Sequence, residues 1–236
     1  MFIKHNSSRK LTTLIVYVDD IIVAGNDEGE IQRLKTYLSN EFEIKDLRSL
    51  KYFLVIEVAC SKGGIFISQQ RYILDLLREI GMLGCKPAET PIEQNNKLGG
   101  KIEDDMVDRG LYQRLVGKFI YLSHTQPDIA YAIGVVSQFM HSPHESHMEA
   151  IYRTFRYLKS TPGKEILFQK TGNIELGAYN DADWAGSIVD RRSTSGYCTF
   201  LGGNLVTWRS KKQLVVARSS IEAEFRVMTQ GICELL

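Results

Sequence analysis

Two adjacent aspartates, Asp19 and Asp20, interrupt the apolar run LIVYVDDIIVAG between Leu14 and Gly25. Their carboxylates repel each other by about 1 kcal/mol at ~4 Å in water, and several-fold more at a lower effective dielectric. Exposure or a cation must therefore accompany them. Aspartate favours turns for local reasons, so a hairpin turn is one sufficient account of the pair. The chemical alternative is an oxygen-ligand Mg²⁺ site. Phosphoryl-transfer centres use two such ions ~3.5–4 Å apart, one activating the attacking oxygen and one stabilising the leaving oxygen.

Charge is distributed unevenly. Arg191, Arg192, Arg209, Lys211, Lys212 and Arg218 fall in a stretch without an acid, and Lys4, Arg9 and Lys10 precede Asp19 with none. One-sign stretches fit phosphate contacts, and equally fit a solvated face. The net charge of +1 argues neither way. His141, His144 and His147 recur at a spacing of three, but Pro143 interrupts them and only Glu145 could complete a ligand set, so packing is expected. Trp184 and Trp208 are expected to pack as well. The cysteines Cys60, Cys85, Cys198 and Cys233 form no CxxC pair, which suits free thiols in a reducing compartment. No uncharged apolar run reaches the ~18 residues of a membrane span, and MFIKHNSSRK lacks the apolar centre of a secretory signal. The expectation is an intracellular soluble protein, cytoplasmic or nuclear.

The elements that must position these residues follow from periodicity. Leu14–Val18 and Ile21–Ala24 predict a hairpin with the aspartates at its tip. Ile31, Leu34, Leu38 and Phe42 share a helical face within 27–42, with Asp27 and Glu30 as a capping box. KYFLVIEVA and GIFISQ flank a glycine turn and predict a second hairpin. A helix from Gln70 buries Ile73, Leu76, Leu77 and Ile80 and ends at Gly81. Residues 86–107 read as a connecting segment. Helices are expected over 111–123, 128–140 and 145–159, punctuated by Pro127, Pro143 and Pro162. Strands are expected over 174–179, 197–201, 205–208 and 214–217, then a helix from Ser219. The fold class is α+β.

YVDD between apolar strands resembles the polymerase motif of reverse transcriptases. Further blocks in order, including CKPAETP, YQRLVGKFIYL, PDIAYAIGVVSQFM, YRTFRYLKSTPGK, WRSKKQ and VARSSIEAEF, resemble copia-type retrotransposon Pol polyproteins nearly end to end. The resemblance implies a reverse-transcriptase palm remnant over 1–85 with its YVDD and primer-grip-like hairpins. It implies a helical thumb or connection region over 86–163, and over 164–236 the beginning of an RNase H-like domain with a mixed sheet and helix. Asp19 and Asp20 would be catalytic, metal-binding carboxylates of the polymerase, with Tyr17 beside the primer terminus. In YNDADWAG the match places the first RNase H aspartate at Asp181, with Asp183 ranked second. In SSIEAEF, Glu222 and Glu224 diverge by about 200° around a helix, so only one can join Asp181; the match favours Glu224. The ancestral partners implied are an RNA template, a DNA primer and an RNA–DNA hybrid, with two-metal Mg²⁺ sites in a virus-like-particle setting.

The same resemblance marks what these residues do not supply. The polymerase needs a further aspartate, and positions 1–18 carry no acid. The nuclease needs another after the helix, and Glu234 is the only acid after Glu224. An inactive fragment is therefore expected. Arg48 and Val55 stand where the family shows glycine, which risks strain, and Gln126 stands where arginine is usual.

Overall fold

A computed structural model describes residues 1–94, 98–99, 104–164 and 166–235. Among them are six α-helices and three antiparallel sheets, an α+β fold. The chain divides into two compact units, Met1–Leu54 and Val55–Leu236.

The first unit strings β1 (Phe2–His5), β2 (Leu11–Tyr17) and β3 (Asp20–Gly25) into one sheet in that order. α1 (Glu28–Glu41) and the two-residue β4 (Tyr52–Phe53) follow. β1 is a strand that the sequence reading did not anticipate. Asp27 caps α1 as its side chain accepts from the Glu30 N–H, but only half of the expected capping box forms. The Glu30 carboxylate turns instead to Lys4 on β1 and Arg33. Asn6 donates to Asp27 at 2.6 Å, which ties the end of β1 to the helix start. No residue of α1 is fully buried, and Phe42 ends outside its apolar face at 59% exposure.

In the second unit β5 (Ile56–Cys60), β6 (Gly64–Ser68) and β7 (Ile166–Gln169) pair antiparallel in that order. α2 (Gln70–Glu79) then starts a helical core. Gly81 stops it with φ +71°, the left-handed conformation that a C-terminal cap demands. α3 (Arg109–Leu122), α4 (Ala130–Val136) and α5 (Glu145–Ser160) complete that core. Tyr112, Phe119, Ile151, Phe155 and Leu158 are wholly buried in it. The helix expected over 128–140 is divided, because 3₁₀ turns at Pro127–Ile129 and Ser137–Phe139 bracket α4. The connecting segment 86–107 lies partly outside the described residues.

The last sheet runs β10 (Asn204–Lys212), β9 (Thr194–Leu201), β8 (Leu176–Asp183), and α6 (Ser220–Leu235) covers one face. Gly134 lets α4 approach the Ser210 carbonyl on β10, and the Trp208 indole donates to the Ser123 carbonyl at 2.8 Å. The β8 strand runs to Asp183, beyond the expected 179.

One expected strand is absent. Residues 214–217 form an irregular segment, with Leu214, Val215 and Val216 exposed. This β-branched run has no partner strand among the described residues, and the Ala217 carbonyl accepts from the Trp184 indole instead. The expected strand KYFLVIEVA is also broken, at Leu54 and Val55, both with positive φ. No helix among the described residues is long and apolar enough to cross a membrane.

Candidate metal and nucleic-acid sites

Two β-branched strands joined by two residues place the aspartates. Tyr17 pairs with Asp20 at the end of the β2–β3 ladder, leaving Val18 and Asp19 as the turn. Val18 has φ +49°, a left-handed value at the first turn position and an uncommon one for a β-branched residue. Asp19 and Asp20 are both exposed, as their mutual repulsion requires. Tyr17 lies beside Asp20 across the ladder, and about half of it is open to solvent. The donor set is all oxygen, which suits a hard divalent cation.

The second acidic set lies on β8 and α6. Asp181 and Asp183 alternate with Tyr179 onto one face of β8. Asn180 and Ala182 face the other way, toward α6, where Gly231 lies against the Asn180 amide. Glu224 reaches the open edge of β8, its Oε1 accepting from the Ala182 N–H at 3.3 Å. That N–H directly follows Asp181 in the chain, so Glu224 lies against the backbone beside Asp181, whose side chain is on the face away from α6.

Glu222 points elsewhere. It accepts from the Arg218 N–H at 2.8 Å and pairs with Arg226 at 2.7 Å. Those two contacts hold its carboxyl below the usual range. Asp183 folds back over the turn that follows it and leaves no room for a side chain at Gly186. Among the described residues, no three His, Cys, Asp or Glu side chains converge as a metal group.

The basic stretch is split by its own folding. Arg192 and Lys212 both turn to Asp190, at 3.6 and 2.9 Å. Burial resists the charge on Asp190, but hydrogen bonds from Ser187, Lys212 and the Arg192 N–H carry its pKa down to about 2. Lys212 also donates to Gln138. Arg209 lies opposite Tyr197, whose hydroxyl donates to Glu234 on α6 and also hydrogen-bonds Arg209. Among the described residues, Arg191, Lys211 and Arg218 form no ion pair within 4 Å. Asp190, one position outside the acid-free stretch, was the missed residue, and its adjacency was the available signal.

His147 is buried with both ring nitrogens engaged. Its Nδ1 accepts from the His144 N–H at 3.0 Å, and Nε2 lies 3.0 Å from the Leu98 carbonyl, which makes Nε2 the protonated nitrogen. Phe139 stacks on the ring at 3.8 Å between centroids. The role of this histidine is packing.

Comparison with known proteins agrees with these motifs. Residues 1–94 match the family model described as reverse transcriptase (RNA-dependent DNA polymerase). The chain is 43% identical over 97% of its length to the retrovirus-related Pol polyprotein from transposon RE1 of Arabidopsis thaliana, of which it covers 16%. It is 35% identical over its whole length to the retrovirus-related Pol polyprotein from transposon TNT 1-94 of Nicotiana tabacum, covering 18%. An uncharacterized mitochondrial protein of Arabidopsis thaliana is 38% identical across 94% of this chain and 92% of its own length. The chain thus spans less than a fifth of the polyproteins it matches. No solved structure matches it significantly. The chain belongs to the reverse-transcriptase family of copia-type retrotransposon Pol polyproteins.

Proposed function

We propose that residues 1–85 are part of a reverse-transcriptase palm, 86–163 a thumb or connection region, and 164–236 the first part of an RNase H-type domain. The carrying observation is the hairpin tip, where two exposed carboxylates adjoin a tyrosine across the ladder. Asp19 and Asp20 would hold Mg²⁺ there. Such ions, when bound, activate an attacking hydroxyl and offset charge on a phosphate. The chain's own contribution is to hold the two acids in fixed register and to keep Tyr17 at the primer end. Asp181 and Glu224 would serve the RNA strand of a hybrid in the same way at the β8 edge. RNA template, DNA primer and RNA–DNA hybrid are the partners in this reading.

Each centre contributes two carboxylates, and a two-metal centre rests on more. Alone, the chain is inactive in this proposal. Primer extension on poly(rA)·oligo(dT) and hydrolysis of a labelled hybrid, each with Mg²⁺ or Mn²⁺, should both stay at background. Extension that disappears in Asp19→Asn, Asp20→Asn, or cutting that disappears in Asp181→Asn, would contradict it.

A further inference from the structure

The last sheet ends in an open strand. At one edge, β10 is tied through Asn204 to Gln169 of β7 by hydrogen bonds of 2.6 and 3.0 Å. At the other, no strand among the described residues pairs with β8. Glu175 accepts from the Gly202 N–H, and an antiparallel ladder alternates, so odd positions of β8 bond to β9 and even ones turn outward. The outward peptide groups of Leu176, Ala178 and Asn180 meet no partner among the described residues, while Ala182 gives its N–H to Glu224. Such an edge is a template for another strand.

α6 supplies the second half of the same surface. Ala223, Val227 and Gly231 face the sheet. Ile221, Phe225, Met228 and Ile232 form a separate row at i, i+4, i+7 and i+11, each between 43% and 65% exposed. Glu224 lies between the two rows on the helix, and its bond to the outward Ala182 N–H puts the apolar row on the open-edge side. Glu222 and Arg226, on the outer flank of that row, neutralise each other.

The helix runs opposite to β8, since Glu224 meets Ala182 and Gly231 meets Asn180. A two-fold axis normal to the sheet pairs β8 antiparallel with β8 of a second copy, and sets the two α6 helices antiparallel over one face. Because α6 lies over both β8 and β9, strands ~4.8 Å apart place the helix axes about 10 Å apart, the distance at which helices pack. The apolar row is self-complementary in that direction. Ile221 meets Ile232 of the second copy, and Phe225 meets its Met228. With Tyr179 on the axis, Ala178 bonds to Asn180 of the second copy and Asp181 stands opposite its Gly177. Only at the exposed strand ends do like charges meet, Asp183 against Glu175.

We propose that β8 and α6 form a self-association surface on which a second copy of this chain docks, continuing the sheet to six strands. The rows and strand edges together bury on the order of 1,000 Å², near the lower limit for a specific interface, so the dimer is weak and concentration-dependent. It rests on neither the polymerase nor the nuclease reading.

The test is sedimentation equilibrium of the full chain in EDTA, from about 1 to 200 μM, a range that brackets a micromolar Kd. A single monomer–dimer equilibrium should fit, and it should tighten as salt rises, because salt screens the acids at the strand ends. Phe225→Lys should raise the dimer Kd at least about tenfold, and leave the melting temperature of the dilute chain unchanged because the side chain is exposed. Ala178→Pro should also weaken the dimer, since it removes an outward N–H without touching the ladder to β9. Ile120→Lys, on an exposed apolar position of α3, should associate as the parent does. A monomer at every concentration, a Kd unmoved by Phe225→Lys, or a mass that grows past the dimer would each overturn the proposal. So would binding to neutral phosphatidylcholine vesicles in place of self-association.

Discussion

Arg48 and Val55 replace expected glycines, and both have left-handed backbones, at φ +68° and +56°. A non-glycine residue there costs about 1–2 kcal/mol, offset in part by the extra unfolded-state freedom that glycine brings. Arg48→Gly and Val55→Gly should each stabilise the chain by about 1 kcal/mol in urea unfolding; destabilisation by either would refute the strain. That signal came from the family resemblance, which implies glycine at both positions, and not from any local pattern in DLRSLKYFLVIEV. The role of His147 was legible only as an exclusion, since its partners lie three and 49 positions away. Burial pushes its pKa below the ordinary value and the His144 charge adds to that, while the Leu98 carbonyl and Asp104 act against. The folded state therefore prefers the neutral ring. Stability is complete above about pH 6.5, the unfolded value, and falls as pH drops toward the lower folded value. The drop in melting temperature between pH 7.5 and 5.5 should be smaller in His147→Gln than in the parent. An equal drop in both would assign it to other groups.

At the scale of elements, periodicity served where burial is one-sided and failed where pairing decides. α2 and α5 follow their apolar stripes, and both bury them. Residues 214–217 have strand-forming composition but no strand to pair with among the described residues, and no local pattern distinguishes the two cases. β7 was missed for the converse reason, since its partner β6 lies about a hundred positions earlier. The β6–β7 contact depends on a glycine: a Cβ at Gly64 would come within 2.3 Å of the Phe168 carbonyl oxygen. Gly64→Ala should cost about 2 kcal/mol in urea unfolding, the scale of overpacking a close contact. A neutral effect would show that the two strands do not approach so closely in solution.

For the molecule as a whole, the first hairpin was readable because YVDD combines a turn with strand flanks in one short stretch, while its reading as a polymerase motif rested on the resemblance of many blocks in order. The second acidic pair was not readable from local pattern, because an aspartate in a strand and a glutamate in a helix are unremarkable until folding sets the helix against the strand. Glu222 and Glu224 differ in their partners: the first is held by Arg218 and Arg226, the second by the backbone beside Asp181. The central claim is that the chain carries two separate acidic half-centres. Paramagnetic broadening of backbone amide signals by sub-stoichiometric Mn²⁺ tests it directly. Broadening should concentrate at residues 17–21 and around 181–183 and 224. Asp19→Asn, Asp20→Asn should remove the first set alone, and Asp181→Asn, Glu224→Gln the second alone. Broadening spread evenly over exposed acids, or centred on Glu222 and unaffected by these substitutions, would contradict the account.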